Sequence, residues 1–389
     1  MNHLRVLQVC LANSWVQPLL DVLEGQVLME RVLPTAEYRG QYKMTPAVAA
    51  LYREPIESFR PDIIHVHGTE NNFGQLQHFF PDIPVVVSIQ GIYEAYLPYA
   101  TAGLTAADMR PYRTLKNILG RGGLRTMERT FLHGIEAYER DIFQTCRYYF
   151  CRTDWDRQWV ETHSPSPRIY TGEELLRPAF YERAARWSPD TCRPHSIFMP
   201  AGYNPIKGLH YALRATAALK KTWPDVQLRV PSIPPYMLRR GALKHRLLGE
   251  EYIGYILHLV RELDITDNVT FLPRLTAEQM ADEMLQAAVF LSPTVIDNSP
   301  NSVGEAMMLG MPVVSTPVGG IPSFLTDGDN ALLAPHAGLA DAVARVFSSP
   351  EFALSLARSA HQTALRRHDP AATAQQYISA YQDIIQQKV

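Results

Sequence analysis

Two carboxylates, Asp297 and Glu305, lie eight positions apart around a polar loop. A strand pattern ends at Leu291, the polar loop occupies 297–302, and a helix is predicted to begin near Ser302–Gly304. A loop that enters a helix N-terminus at the end of a strand binds anions, because free backbone N–H groups and the helix dipole point at the ligand. The segment therefore predicts an anion site flanked by two acidic side chains. The plainer alternative is a helix-capping loop with two solvated acids.

A second segment places a cation at the start of a helix. Lys207 and Gly208 follow the predicted strand Ser196–Pro200, and a helical pattern begins at Leu209. In this strand–turn–helix context, the Lys207 ammonium is predicted to bind a diphosphate. The plainer alternative is a solvated lysine.

The elements around both segments alternate between strand and helix. The predicted strands are short, rich in Val and Ile, and bounded by Pro, Gly or Asp, which is typical of strands covered on both faces. They are Arg5–Leu11, Ile63–His67, Val85–Ile89, Tyr148–Cys151, Ser196–Pro200, Gln227–Val230, Val269–Phe271, Val289–Leu291 and Val313–Thr316. This alternation predicts parallel sheets of the doubly wound type, with more strands than one small sheet holds.

The chain of 389 residues is long enough for two or three domains. Two prolines and little periodicity near Trp187–His195 indicate an interdomain linker. We predict an N-terminal domain at 1–190, a C-terminal domain at 191–370, and an amphipathic helix at 371–389 that packs back towards the N-terminal domain.

Composition disfavours several classes of protein. Apolar residues make up 46% of the chain, charged residues 20%, and the formal net charge is −2, which disfavours disorder and a globally basic nucleic-acid binder. No apolar run reaches the roughly 18 residues of a membrane span. The run Arg5–Leu11 is typical of a strand rather than a secretory signal, and the four cysteines have neither disulfide nor zinc spacing. We therefore expect a cytoplasmic protein.

The segment 292–322 resembles the nucleotide-sugar site of the retaining family-4 glycosyltransferases, also called glycosyltransferase group 1. Glu305 is followed by Ala306 and then by the Gly-Met-Pro-Val-Val run at 310–314, as at the second acidic position of the family signature. Asp297 stands at the first acidic position. In the family the first acid contacts the hydroxyls of the donor sugar, the second binds the ribose hydroxyls, and the backbone between them meets the sugar and the diphosphate.

The resemblance implies an α/β protein with the GT-B fold, in which two Rossmann-like domains with doubly wound parallel sheets face a cleft. The implied catalytic residues are Asp297, Lys207 and Gln90. The implied donor-binding residues are Gly202, Asn204, Gly208, Pro273, Arg274, Asn301, Ser302, Val303 and Glu305. We place His67, Arg121 and Arg125 on the acceptor side. The expected donor is a nucleotide sugar carrying UDP or GDP, with no metal ligand and no further cofactor.

The sequence departs from the family pattern at three positions. Asp297 replaces the usual Glu, and Gln90 stands where many members have a His near the reacting face of the sugar. Tyr203 or Asn204 occupies the region of an Arg that neutralises the diphosphate, so either this loop has lost one charge or another base substitutes.

The resemblance implies transfer of a sugar to an acceptor hydroxyl with retention of anomeric configuration, in bacterial lipopolysaccharide, capsule or exopolysaccharide synthesis. In this scheme the leaving phosphate takes the acceptor proton, so no dedicated carboxylate base is required. The alternatives are a non-catalytic GT-B-like binding subunit, which the three departures favour, and a GT-B-like epimerase or phosphorylase. The expected partners are the donor and a glycan or lipid-linked glycan acceptor, with peripheral contact at the inner face of the cell membrane and no nucleic acid.

The stretch 108–129 carries six Lys or Arg residues against two acids, with apolar residues between them. It is interpreted either as a surface for anionic lipid headgroups or a phosphorylated acceptor, or as a solvated helix face.

Two short motifs have the spacing of metal ligands. Asp154 and Asp156 form an Asp-x-Asp pair, and His65 and His67 lie on one face of a strand. The favoured alternatives are a helix cap formed by Thr153 and Asp154, and buried or cleft-lining histidines.

Overall fold

The computed structural model describes residues 4–11, 15–34, 43–119, 123–232 and 250–387. The chain forms two compact units. Unit 1 comprises residues 1–97, 130–176 and 367–389, and unit 2 comprises residues 98–129 and 177–366.

The strands divide equally between the two units. Unit 1 contains β1 Arg5–Val9, β2 Leu28–Val32, β3 Ile63–His67, β4 Val85–Ser88, β5 Tyr148–Cys151 and β6 Arg168–Thr171. Unit 2 contains β7 Arg193–Phe198, β8 Gln227–Val230, β9 Val269–Phe271, β10 Ala287–Ser292, β11 Val313–Ser315 and β12 Leu332–Leu333.

The α-helices lie between the strands along the chain. Up to residue 190 they are α1 Gln17–Leu23, α2 Pro46–Ala50, α3 Arg53–Phe59, α4 Leu76–Phe79, α5 Tyr93–Tyr96, α6 Ala106–Met109, α7 Leu115–Ile118, α8 Leu124–Gly134, α9 Arg140–Thr145, α10 Asp154–His163 and α11 Pro178–Glu182. A π-helical turn at Ile135–Glu139 joins α8 to α9. The later helices are α12 Leu209–Lys220, α13 Glu251–Glu262, α14 Ala277–Leu285, α15 Asn301–Leu309, α16 Leu339–Ser348, α17 Pro350–Arg367 and α18 Pro370–Gln386.

Short 3-10 turns complete the described elements. They are Asn72–Gln75, Leu97–Tyr99, Arg110–Tyr112, Pro205–Lys207, Thr266–Asn268, Ile321–Ser323 and His336–Gly338.

Each unit is built on one six-stranded sheet whose strands all pair in parallel. The strand order is β2-β1-β3-β4-β5-β6 in unit 1 and β12-β11-β10-β7-β8-β9 in unit 2. In unit 2 the chain moves outward from β7 in one direction and then outward from β10 in the other, so the order reverses between these two strands. This is the doubly wound topology, in which ligands bind outside the carboxyl ends of the strands at the point of reversal. The prediction of two doubly wound parallel sheets is confirmed.

The sheet of unit 1 is covered on both faces by apolar side chains. One cluster packs Val9, Val66 and Val87 against Tyr52 and Ile142, which lie in or beside the helices. A run of strand residues with no exposed position, as in β3, β4 and β5, is what burial on both faces requires.

The opposite face of the unit 1 sheet is covered by the C-terminal helix α18. Tyr377, Tyr381 and Ile384 of α18 are buried with Val86 and Phe150 of the strands. The stripe predicted from the sequence is therefore the face that α18 buries within unit 1.

The compact units differ from the predicted domains at three places. Residues 367–370 belong to unit 1, whereas the sequence placed them in the C-terminal domain. Residues 98–129 and 177–190 belong to unit 2, whereas the sequence placed both in the first domain. In the second segment, Trp187 is buried and its indole N–H donates to the Ala287 carbonyl at 2.8 Å, so the predicted linker is partly packed. Such contacts cannot be read from the local pattern, because their partners lie 100 residues away in the chain.

Candidate functional site

A pocket in unit 2 opens at the carboxyl ends of β7 and β10, where the strand order reverses. Four of the sequence-predicted residues line it together: Lys207, Asp297, Ser302 and Glu305. The first follows β7 and the other three follow β10, so two segments about 90 residues apart converge on one cavity. This is the position where doubly wound sheets bind their ligands.

Lys207 is held by a tight turn. The Asn204 carboxamide oxygen accepts a hydrogen bond from the Ile206 N–H at 3.1 Å, and the Ile206 carbonyl accepts one from the Val295 N–H at 2.9 Å. Gly208 closes the turn with φ +77°, and a Cβ at this position would collide with the Pro293 carbonyl oxygen. The turn at 205–207 is therefore fixed to the loop after β10, and only glycine fits the residue after Lys207.

Asp297 accepts a hydrogen bond from the Lys207 ammonium, with 2.6 Å between Oδ2 and Nζ. The Lys207 side chain is 37% exposed and that of Asp297 is 14% exposed. The backbone of Asp297 is fixed by the Gly-Gly turn, because its carbonyl accepts from the Gly320 N–H at 3.0 Å. Gly319 has φ +54°, and a Cβ there would collide with the same carbonyl. The two glycines thus position the acid that the sequence analysis placed in the site.

Helix α15 begins beside the Lys207–Asp297 pair. It starts at Asn301, one residue before the predicted range, and its N-cap residue is Pro300. Proline has no side-chain acceptor, so it cannot cap the first N–H groups of the helix. Ser302, in the first turn, lines the pocket. The positive end of the helix dipole therefore faces the pocket, as an anion site requires.

Glu305 is buried on the pocket side of α15 and is bound by a residue that the sequence analysis missed. Arg177 donates to it from Nε at 2.7 Å and from Nη2 at 2.8 Å. Burial raises the pKa of the Glu305 carboxyl, and the Arg177 guanidinium opposes the rise. Arg177 also lies over the Phe180 ring, with 4.9 Å between Cζ and the ring centroid. Arg177 lies directly before Pro178, at the start of a helix. This local sequence does not indicate a partner 128 positions later in the chain.

The other predicted donor-binding residues lie near the pocket. They are not among the described residues that line it. Gly202, Gly208 and Val303 are buried, Asn301 is half-buried, and Asn204 is exposed.

Pro273 and Arg274 lie in the exposed loop after β9. The Pro273 carbonyl accepts a hydrogen bond from the Ser232 N–H at 3.3 Å. Neither residue lines the pocket as described, so their assignment to donor binding stays a prediction.

Gln90 lies in unit 1, directly after β4, and is half-buried. Its backbone carbonyl accepts a hydrogen bond from Arg152 Nη2 at 3.0 Å. The predicted catalytic set is thus divided between the units, with Lys207 and Asp297 in unit 2.

The three predicted acceptor residues have different environments. His67 is 4% exposed, and its Nε2 lies 2.9 Å from the Gln8 side-chain oxygen. It is a buried histidine of the unit 1 sheet, and its assignment to the acceptor side stays a prediction. Arg125 is exposed in unit 2, and Arg121 lies outside the described residues.

The two motifs with metal spacing are explained by hydrogen bonds. Thr153 caps α10 by accepting from the Asp156 N–H at 3.2 Å, and Asp156 accepts in return from the Thr153 N–H at 3.0 Å. The capping acid is thus Asp156 and not Asp154. His65 lies 2.7 Å from both the Tyr381 and the Ser88 hydroxyl oxygens. Within the described ranges, no group of three His, Cys, Asp or Glu side chains is arranged to hold a metal ion.

Among the described helices, none is both long enough and apolar enough to cross a lipid bilayer.

Comparison with known sequences finds a family match in the C-terminal part of the chain. Residues 193–349 match the family model of the glycosyl transferases group 1. The putative colanic acid biosynthesis glycosyltransferase WcaL of Escherichia coli (strain K12) is 28% identical over 259 residues, which cover 61% of this chain and 56% of WcaL. The D-inositol 3-phosphate glycosyltransferase of Corynebacterium glutamicum (strain R) is 32% identical over 187 residues, covering 46% of this chain and 41% of that protein. The chain thus spans about half the length of these curated relatives.

Comparison with solved structures covers nearly the whole chain. The sucrose-phosphate synthase of Thermosynechococcus elongatus matches with a TM-score of 0.68 at 15% identity, covering 98% of this chain and 99% of that one. Anabaena HepE in complex with UDP-glucose matches with a TM-score of 0.65 at 13% identity, covering 98% and 100%. These similarities show the fold, which is the GT-B fold predicted from the sequence.

Proposed function

We propose that the protein transfers a sugar from a nucleotide-diphosphate sugar to an acceptor hydroxyl, because residues 193–349 match the family model of the glycosyl transferases group 1. The observation that carries the proposal is the pocket at the strand-order reversal of unit 2. It combines the Lys207 ammonium, the N-terminus of α15, and the carboxylates of Asp297 and Glu305. A nucleotide sugar offers a diphosphate to the cationic groups and hydroxyl groups to the acids.

The roles in donor binding follow from the chemistry of each group. The Lys207 ammonium and the first N–H groups of α15 stabilise the negative charge that develops on the departing diphosphate. Glu305, held by Arg177, accepts hydrogen bonds from the ribose hydroxyls. Asp297 accepts hydrogen bonds from the donor sugar once Lys207 turns to the diphosphate. Arg177 brings a second positive charge to the pocket, and the Glu305 carboxylate that it binds balances this charge.

The proposed reaction retains the anomeric configuration and needs no metal. The acceptor hydroxyl attacks the face from which the diphosphate departs, and the departing phosphate oxygen takes the hydroxyl proton. No separate carboxylate base is then needed, unlike in hydrolases with paired acids. Gln90 of unit 1 positions the sugar by hydrogen bonding. A transfer assay in the presence and absence of a chelator, with the product configuration read by NMR coupling constants, tests both features.

The proposed biological role is bacterial surface-glycan synthesis at the inner face of the cell membrane. The similarity to WcaL, named for colanic acid biosynthesis, supports it.

The segment 108–129 supports contact with an anionic membrane. Ile118 is 71% exposed and Leu119 68% exposed, and the exposed Arg110 and Arg125 lie in the same segment. Apolar side chains with nearby cations are typical of surfaces that bind anionic lipids. Sedimentation with phosphatidylglycerol vesicles tests this. Replacing Ile118 and Leu119 by Ser should reduce binding, whereas Leu51→Ser, at an exposed leucine of unit 1, should not.

The donor site is tested by thermal stabilisation with UDP, GDP and their sugar conjugates. A ligand that binds only the folded protein raises the melting temperature by mass action. We expect UDP or GDP to stabilise the wild type, and we expect Lys207→Ala and Glu305→Ala to lose the effect. If no nucleotide stabilises the wild type, the proposed donor site is wrong. Nucleotide binding with neither transfer nor hydrolysis would favour a non-catalytic binding subunit.

A further inference from the structure

One carboxylate at the carboxyl edge of the unit 1 sheet has no part in the mechanism above. Glu70 follows β3, and Gln90 and Gly91 follow the neighbouring strand β4. Glu70 and Gln90 are both half-buried, so each reaches solvent. Ligands of doubly wound sheets bind outside the carboxyl ends of the strands.

Two glycines make room for the Glu70 carboxylate. Gly68 has φ +92°, and a Cβ there would collide with Glu70 Oε2 and lie 3.6 Å from Gln90 Cγ. A Cβ on Gly91 would lie 2.8 Å from Glu70 Oε1 and 3.3 Å from Tyr96 Cε2. Glu70 Oε2 therefore lies against Gly68 and Oε1 against Gly91, at the ends of β3 and β4.

Aromatic side chains continue the same surface. The Tyr96 and Trp155 ring centroids are 5.9 Å apart at an interplanar angle of 32°, and both side chains are half-buried. Aromatic rings present an apolar face together with a polar atom. Sugars present the complementary chemistry, with C–H groups on one face and hydroxyl groups around the edge.

We propose that Glu70, Tyr96 and Trp155 form a sugar-binding subsite for the glycan acceptor, in which the carboxylate accepts hydrogen bonds from sugar hydroxyls and the rings pack against the C–H face. This inference rests on the proposed function, and it names the acceptor as a glycosyl group. Hydrogen bonds from a hydroxyl to a carboxylate are short and are roughly twice as strong as those between neutral groups. The subsite lies beside Gln90, which is proposed to position the donor sugar.

The surroundings of Glu70 give this subsite a pH dependence. Burial raises the pKa of the Glu70 carboxyl to about 7, and the Glu70 and Gly91 N–H groups and the Arg152 guanidinium oppose the rise. Glu174 adds a negative charge, and Glu139, Tyr93 and Tyr138 face the same region. Since the ionised carboxylate is the better acceptor, sugar binding should weaken as the pH falls through about 7.

Glu139 is the matched control for Glu70. Burial also raises its pKa to about 7, but its carboxylate is fully buried. It accepts from the N–H groups of Tyr93 at 2.7 Å and Glu94 at 2.8 Å. Glu139 has no exposed surface and cannot meet a ligand from solvent, whereas Glu70 is half-buried.

Saturation-transfer NMR on the full chain tests the subsite, with the methyl α-glycosides of D-glucose, D-galactose and D-mannose as probes. We expect at least one glycoside to bind the wild type, and to bind Glu70→Gln about tenfold more weakly, as the loss of a hydrogen bond to a charged group predicts. Tyr96→Ala should weaken binding as well. Glu139→Gln should bind as the wild type does, and Asp297→Ala should too, which excludes the donor pocket as the place of binding. The wild-type affinity should fall with decreasing pH, and that of Glu70→Gln should not.

Three results would overturn the proposal: no glycoside binds the wild type, Glu70→Gln binds as tightly as the wild type, or Asp297→Ala abolishes binding. If Glu70→Gln does not fold by circular dichroism, Tyr96→Ala and the wild-type pH dependence decide. Thermal stabilisation of Glu70→Gln by UDP or GDP would show that the donor site is intact in this variant. A wild type that binds glycosides but no nucleotide would disprove only the donor site.

Discussion

Arg177 donates two parallel hydrogen bonds to Glu305, from Nε to Oε1 at 2.7 Å and from Nη2 to Oε2 at 2.8 Å. Arg177 is the residue before α11, and Glu305 lies in α15, so the pair joins two helices of unit 2. The paired arrangement fixes both the charge and the rotamer of a carboxylate that is almost fully buried. The acid that we propose to bind the donor is thereby oriented before any ligand arrives.

Arg177→Ala should destabilise unit 2 and weaken nucleotide binding. Removing the guanidinium leaves the Glu305 carboxylate buried without its partner, at an expected cost of about 1–3 kcal/mol. Arg177→Lys keeps the charge but not the two-point geometry, so it should fall between the wild type and Arg177→Ala. Urea unfolding and nucleotide-induced thermal shifts measure the two effects. Equal stability of all three proteins would contradict the importance of the pair.

Gly208→Ala should abolish nucleotide binding through the position of Lys207. The substitution combines a positive φ with a collision against the Pro293 carbonyl oxygen, so the turn must move. Gly328→Ala is the matched control, because Gly328 has φ +76° and nothing within 4 Å of a Cβ. Both variants carry the strain of a left-handed backbone, which costs on the order of 1 kcal/mol. Isothermal calorimetry with UDP or GDP should detect a loss for Gly208→Ala alone.

Acid should destabilise unit 1 through its buried histidines. Burial lowers the pKa of His67 to about 3, and that of His65 falls well below its ordinary value. The unfolded chain binds protons at these histidines below about pH 6.5 whereas the folded chain does not, so stability is lost as the pH falls towards about 3. Thermal melts at several pH values should show a smaller acid loss for His67→Gln than for the wild type. His78→Gln, at an exposed histidine, controls for the removal of an imidazole ring. If the dependence of the melting temperature on pH is the same for His67→Gln and the wild type, His67 is not a cause of the acid loss.

The docking of α18 should depend on one of two adjacent isoleucines. Ile384 is fully buried in the unit 1 core, whereas Ile385 is only partly buried. Ile384→Ala should cost about 2–4 kcal/mol, since it removes buried methyl groups and leaves a cavity. Ile385→Ala should cost clearly less. Comparing the urea midpoints of the two variants checks this, and equal midpoints would show that α18 packs in a different register.

The sequence by itself predicted the central elements of both sheets and the main residues that line the unit 2 pocket. Ile63–His67 and Tyr148–Cys151 are strands with the predicted bounds, because burial on both faces produces an apolar run that a local pattern reveals. Lys207 and Asp297 were likewise recognisable, since each follows a strand and stands beside a helix start. The three strands that the pattern missed, β2, β6 and β12, all lie at sheet edges.

Tertiary structure alone decided the rest, because its contacts join residues that are distant in the chain. Edge strands such as Leu28–Val32 are partly exposed and lack the apolar run, so only pairing with a neighbour identifies them. Arg177 acquires its role only when α11 is packed against α15, 128 residues later in the chain. Glu70 becomes a candidate sugar-binding residue only because the carboxyl ends of β3 and β4 lie side by side. Local sequence specifies what each residue can do, and long-range packing selects which residues act together.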